Sequence, residues 1–148
     1  MLDMPNIRSR SVEDYLEAIY VLDGENGTAR TKDIAKMLSV SPASVTDMMA
    51  KLGRRGLVEY ERYSPPRLTP EGKRIGRDVK KRHDSLLRFF TLLGVAKGKA
   101  QADACAVEHE LSPATIRRLE RFVEFAKVEG SLAEDFRRFC KAGDGRDG

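Results

Sequence analysis

The sequence is poor in the features that mark membrane, secreted and catalytic proteins. No apolar run approaches the roughly 18 residues needed to span a bilayer. Residues 1–11 are polar and carry Arg8 and Arg10, so no export signal is expected. Cysteine occurs only at Cys105 and Cys140, too sparse for a disulfide framework; with no export signal, this implies free thiols in a reducing cytoplasm. Histidine is equally scarce, at His83 and His109. The chain has no glycine-rich phosphate loop, no cofactor fingerprint, no internal repeat and no low-complexity linker. Nor does a recognisable third group orient a Cys105–His109 nucleophile pair, so an enzyme is not expected.

What is present suits a soluble, helix-rich protein of one ordinary domain or two small ones. The 148 residues are 34% charged and 41% hydrophobic. Residues 1–82 hold 16 Lys/Arg against 12 Asp/Glu, and residues 83–148 hold 11 against 11. The whole net charge of +4 therefore falls in the N-terminal part, which points to an anionic partner there.

Ser11-Val-Glu-Asp14 followed by Tyr15, Leu16, Ile19 and Leu22 reads as a helix with Ser11 capping and Asp14 as its capping-box carboxylate. Gly24 and Gly27 end it. A short helix over 31–38, a tight Ser39-Val40-Ser41 turn and a helix begun by Ser41-Pro42 follow. Strands are expected over 57–61 and 67–69, joined by a protruding loop with a proline pair. A long helix from Pro70 to Gly94, one over 98–111, one from Pro113 to about Val128, and a last short one behind Ser131 complete the chain. Residues 141–148 read as a disordered tail.

Helix, tight turn, helix and hairpin is the order of a winged helix-turn-helix. The second helix must enter the major groove, so its outer face must be small or hydrogen-bonding. Ser41, Pro42, Ala43, Ser44, Thr46, Asp47 and Lys51 supply that face. Arg54 and Arg55 at its end, with Arg62 and Arg67 in the wing, suit phosphate contacts. The fold class is thus mainly α: an N-terminal winged helix-turn-helix of three helices and a two-stranded wing, then an all-helical C-terminal dimerisation domain. The expected boundaries are 1–72 for DNA reading and 73–140 for metal binding and dimerisation.

Cys105, Glu108 and His109 stand at i, i+3 and i+4, so on a helix a thiol, a carboxylate and an imidazole share one face. All three are donors for a divalent transition metal. Alone, the segment reads equally well as a buried Cys beside a solvated Glu-His pair. Asp14 and Glu17 also share a helical face, and His83 follows the basic run Lys80-Lys81-Arg82.

At this point the chain resembles the diphtheria toxin repressor family of metal-dependent transcriptional regulators, nearest its short manganese-transport branch. The resemblance covers about residues 9–125. It is carried by Ser11-Val-Glu-Asp-Tyr-Leu-Glu-Ala-Ile-Tyr20, Ser41-Pro-Ala-Ser-Val-Thr46, Leu68-Thr-Pro-Glu-Gly72, His83 and Cys105-Ala-Val-Glu-His-Glu-Leu-Ser112. It implies a metal site of Asp14, Glu17, His83, Cys105, Glu108 and His109. It further implies Mn(II) or Fe(II) as cofactor, with Zn(II) or Co(II) in vitro, and double-stranded DNA with a palindromic operator as partner.

Two departures matter. The manganese branch has Glu where this chain has Cys105, and the iron branch has Met where this chain has Asp14. The combination sets a hard oxygen donor beside a soft sulfur, and thiolate moves preference toward Fe(II), Zn(II) or Co(II). Leu87 and Gln101 replace ancillary-site ligands of the iron branch, and the extra C-terminal domain of longer relatives is not expected. Ile116, Leu119, Phe122, Val123 and Phe125 read as a homodimer interface, which would set two recognition helices about 34 Å apart. The resulting expectation is a metal-activated repressor of metal-uptake genes. The alternative is a winged-helix regulator with a thiol redox effector at Cys105.

Overall fold

Serine–proline pairs punctuate this chain, and two of the observed helices begin directly behind their serines, Ser41 and Ser112. The structure, a computed structural model, describes residues 10–144. Its elements are α1 (Arg10–Asn26), α2 (Thr31–Leu38), α3 (Pro42–Arg54), β1 (Val58–Glu59), β2 (Arg67–Leu68), α4 (Pro70–Leu92), α5 (Lys97–Val107), α6 (Pro113–Val128) and α7 (Leu132–Asp144). They group into two compact units, the first ending at Lys80 and the second starting at Lys81.

In the first unit, α1, α2 and α3 close around Leu16, Ile19, Ile34, Val45, Met49 and Leu52, joined by Leu57, Ile75 and Val79. Each fully buried Leu or Ile here contributes roughly 1.5–3 kcal/mol. Ser41 caps α3 by accepting the Ser44 N–H at 3.1 Å, with Pro42 in the first turn. The turn before it places Ser39 at φ 55, and the Val40 N–H reaches back to Ala35 O at 3.0 Å.

β1 and β2 pair antiparallel, Val58 opposite Leu68 and Glu59 opposite Arg67, forming a shorter wing than the sequence suggests. Pro65 and Pro66 keep the intervening loop out of the ladder. Thr69 fastens the wing to α4. Its hydroxyl donates to Gly56 O at 2.7 Å and accepts the Gly72 N–H at 3.2 Å. Gly76 then lets α4 run against α1, since a Cβ there would lie 2.6 Å from Leu16 O.

The second unit is centred on Leu86, Ala104 and Ile116, with Leu87, Phe90, Val107, Leu111 and Leu119 around them. The buried Ser85 hydroxyl lies 2.7 Å from Glu120 Oε1, linking α4 to α6. Among the described residues no helix is long and apolar enough to cross a membrane.

Three expectations are corrected. Ser11 lies inside α1, which already includes Arg10, so Asp14 is not the carboxylate of a cap at Ser11. α5 stops at Val107 rather than 111, because Ser112, ahead of Pro113, is extended at ψ 153 and the chain must turn first. α7 runs to Asp144, so residues 141–144 are helical where composition suggested a tail; 145–148 lie outside the described residues.

Candidate metal centre and nucleic-acid interface

The buried face of α4 recurs at Ile75, Val79, His83 and Leu86, a helical spacing that carries His83 inward despite its basic neighbours. His83 is 4% exposed. Across from it, α5 buries only alanines, Ala100 and Ala104. Glu108 forms the C-cap of α5, its N–H donating to Ala104 O at 3.0 Å. His109 follows in the turn before Ser112.

Because the helix ends at Val107, the three residues do not form one uniform stripe. Cys105 is exposed, whereas Glu108 is 1% exposed. The two buried imidazoles flank that carboxylate. His83 Nδ1 is 2.8 Å from Glu108 Oε2, and His109 Nε2 is 3.2 Å from Glu108 Oε1. Cys105 Sγ lies 3.7 Å from the same Nδ1 of His83. One donor atom each from His83, Cys105 and Glu108 falls within 4.8 Å of the others.

Burying a carboxylate costs several kcal/mol unless a positive partner offsets it. Glu108 has drawn both histidines of the chain around it, and a thiol stands at the edge. Nitrogen, oxygen and sulfur donors in that arrangement fit a divalent transition ion. Asp14 and Glu17 lie in the first unit, three residues apart on one face of α1, both half-buried.

On α3, Ser41, Pro42, Ala43, Ser44, Thr46, Asp47 and Lys51 are all exposed, while Val45, Met49 and Leu52 are buried. Thr46 donates its hydroxyl to Pro42 O at 3.1 Å, which leaves an acceptor oxygen and a methyl group outward. In the wing, Arg62 and Arg67 are exposed. Sequence reasoning passed over Tyr63, which is 92% exposed at the wing tip with the Arg62 guanidinium 5.3 Å from its ring centre. The signal was its place beside a proline pair, where an apolar ring has no core to enter.

The expected dimer face also needs correction. Ile116 and Val123 are buried within the chain and Leu119 packs on the core of the second unit. The outward apolar residues are Phe122 and Phe125 on α6, joined by Val128, with Phe136 and Phe139 on α7. Phe122 meets Phe89 edge to face and Phe125 at a tilt, with ring centres 5.9 and 6.4 Å apart. The 3.6-residue period divides α6 into an inner stripe at 116, 119, 123 and 126 and an outer one at 122 and 125.

A cleft of about 1170 Å³ lies elsewhere, in the first unit between the end of α1, the wing and α4. It mixes Asp23, Glu59 and Glu61 with Arg67, Lys73 and Lys80, a balance that selects no ligand charge.

Comparison with known proteins bears on both regions. Residues 8–65 match the model of the iron dependent repressor N-terminal DNA binding domain. Residues 69–131 match the iron dependent repressor metal binding and dimerisation domain. The chain is 40% identical over 131 residues to the HTH-type transcriptional regulator MntR of Geobacillus thermodenitrificans, covering 88% of this chain and 93% of that protein. Among solved structures, the manganese regulator SloR superposes with a TM-score of 0.66 at 27% identity, covering 76% of this chain and 53% of that one. A manganese-dependent transcriptional repressor in complex with manganese superposes at 0.68 with 26% identity, covering 76% and 52%. The chain thus spans about half the length of these two solved regulators.

Proposed function

This chain belongs to the iron dependent repressor family, and from that premise we propose that it is a metal-activated transcriptional repressor controlling metal-ion uptake genes. The observation that carries the reading is Glu108, buried between His83 and His109 with Cys105 alongside, in a chain that also bears a winged helix-turn-helix. The proposed ligand set is Asp14, Glu17, His83, Cys105, Glu108 and His109. The proposed DNA-reading set is Ser41, Pro42, Ala43, Ser44, Thr46, Asp47 and Lys51, with Arg62 and Arg67 on phosphates. The division into a DNA-reading part at 1–72 and a metal-binding and dimerisation part at 73–140 belongs to the same proposal.

A divalent ion held by these residues would supply the positive charge that their carboxylates and thiol lack. Asp14 and Glu17 sit on the helix that packs against α2 and the wing, so an ion held by them would link metal binding to the DNA-reading helices. Without a counter-charge, carboxylates gathered at one place repel each other and favour a looser arrangement. A roughly hundredfold preference for the DNA-competent arrangement, about 2.7 kcal/mol, shifts a balanced population strongly. Phe122 and Phe125 provide apolar area for a homodimer, which sets two α3 helices on a palindromic operator. Carboxylate donors suit Mn(II), while Cys105 favours Fe(II).

Fluorescence anisotropy with an operator-bearing duplex tests the reading. Binding should require Mn(II) or Fe(II) and be reversed by chelator. Affinity indifferent to chelation would overturn it.

A further inference from the structure

Resting on the reading that the first unit binds double-stranded DNA, we infer that Tyr63 is a minor-groove probe. Its ring enters the minor groove beside the major groove that α3 occupies, and there it selects A·T over G·C base pairs. The DNA-reading set proposed above contains no aromatic residue, so this is a second mode of readout.

Folding gives no reason for a tyrosine at this place. The ring is 92% exposed, so its burial contributes almost nothing. The Ser64 N–H donates to Glu61 O at 3.1 Å, closing a four-residue turn in which Tyr63 stands third. Its φ of 69 is left-handed, where glycine or asparagine fits and a bulky side chain is strained. Strain of this kind persists only where the surroundings over-determine it, and it points to a functional demand. Here the surroundings are firm. Pro66 is fully buried behind the tip, and the pairing of Val58 with Leu68 and Glu59 with Arg67 fixes both strands.

The tip suits the narrower groove of DNA. That groove is about 6 Å wide, too tight for a helix or a β-ribbon but open to one side chain on a turn. β1 packs against α3, so the ribbon rises at the flank of the recognition helix. With α3 in the major groove, a neighbouring element that crosses one backbone strand meets the minor groove. The Arg62 guanidinium, 5.3 Å from the ring centre, braces the ring and stays available to the phosphate at the groove edge. The charges of the ribbon balance, Glu59 and Glu61 against Arg62 and Arg67, so attraction to phosphate alone does not place it. Inside the groove, A·T pairs present only acceptors, which the Tyr63 hydroxyl can meet, whereas the guanine amine obstructs the ring. A tyrosine with two side-chain torsions is ordered there at little entropic cost.

The test is fluorescence anisotropy of the full-length chain, saturated with Mn(II), on an operator duplex selected from random sequence. The base pairs flanking each half-site are made A·T, G·C or inosine·C. Inosine lacks the guanine amine, so inosine·C joins the minor groove of A·T to the major groove of G·C. The parent should bind the A·T and inosine·C duplexes alike and the G·C duplex about tenfold more weakly. Tyr63→Gly suits the left-handed turn, so its melting temperature should not fall. Its three affinities should nonetheless converge to within about twofold. Inosine·C that binds like G·C, equal affinities in the parent, or discrimination that persists in Tyr63→Gly overturns the inference. Metal-dependent binding without any flank preference overturns it and leaves the repressor reading standing. A flank preference abolished by Tyr63→Gly, in a chain whose DNA binding ignores chelator, does the reverse.

Discussion

His83 Nδ1 sits 2.8 Å from Glu108 Oε2, and both side chains are almost wholly removed from solvent. The pair joins the middle of α4 to the C-terminal end of α5, residues 25 apart in sequence. Glu108→Gln keeps the volume and removes the charge. It should lower metal affinity by at least tenfold to a hundredfold in a chelator-competition titration while helical content is kept. Unchanged affinity would remove Glu108 from the ligand set.

Two glycines of similar setting should respond in opposite directions. Gly76→Ala drives a methyl group to 2.6 Å from the Leu16 carbonyl oxygen and should destabilise by about 1–3 kcal/mol. Gly24, inside α1 with no atom within 4 Å of an added Cβ, should gain about 0.5–1 kcal/mol as Ala. Urea unfolding of both variants checks the contrast, and equal effects would contradict the close approach of α4 to α1.

Burial raises the Asp23 carboxyl above its ordinary 3.8, against the opposing pull of Lys73 and Arg67. The folded chain therefore binds that proton more tightly than the unfolded one. The resulting loss of stability is present above the raised pKa and disappears as pH falls below the ordinary value. Asp23→Asn should raise the melting temperature near neutrality, and its advantage should shrink in acid. An advantage that grows in acid would contradict this sign.

Lys51, Arg62 and Arg67 are exposed around α3 and the wing. Replacing any of them with Ala should weaken operator and non-operator DNA alike and reduce the salt slope by about one. A loss confined to one operator base would instead make that residue a base reader.

The outward face of Phe122 and Phe125 predicts an association defect. Phe125→Asp should give monomers in sedimentation at concentrations where the parent is dimeric, because it places a charge in an apolar contact. A variant that remains dimeric would move the interface elsewhere.

Much of this architecture was legible in residue pattern. Ser41-Pro42 and Ser112-Pro113 mark helix starts through one mechanism, a serine accepting an amide proton beside a residue already held at helical φ. The end of α5 was not legible, because its inner face is built from alanines that leave no apolar period to follow. His83 was obscured by three basic neighbours. Counted from Val79 and Leu86, it falls on the buried stripe. Ile116 and Val123 were assigned to a partner because hydrophobicity alone does not distinguish a core from an interface. The distances among Glu108, His83 and Cys105 are tertiary, and only the family resemblance pointed to them.

The coupling of metal to DNA is the central claim, and linkage makes it measurable in one comparison. Metal affinity is determined for the free protein and for the protein saturated with operator duplex. Coupling of this kind is reciprocal. The ion should bind the DNA complex more tightly by the same factor, roughly hundredfold, by which it tightens DNA binding. Equal metal affinity with and without DNA would contradict the account.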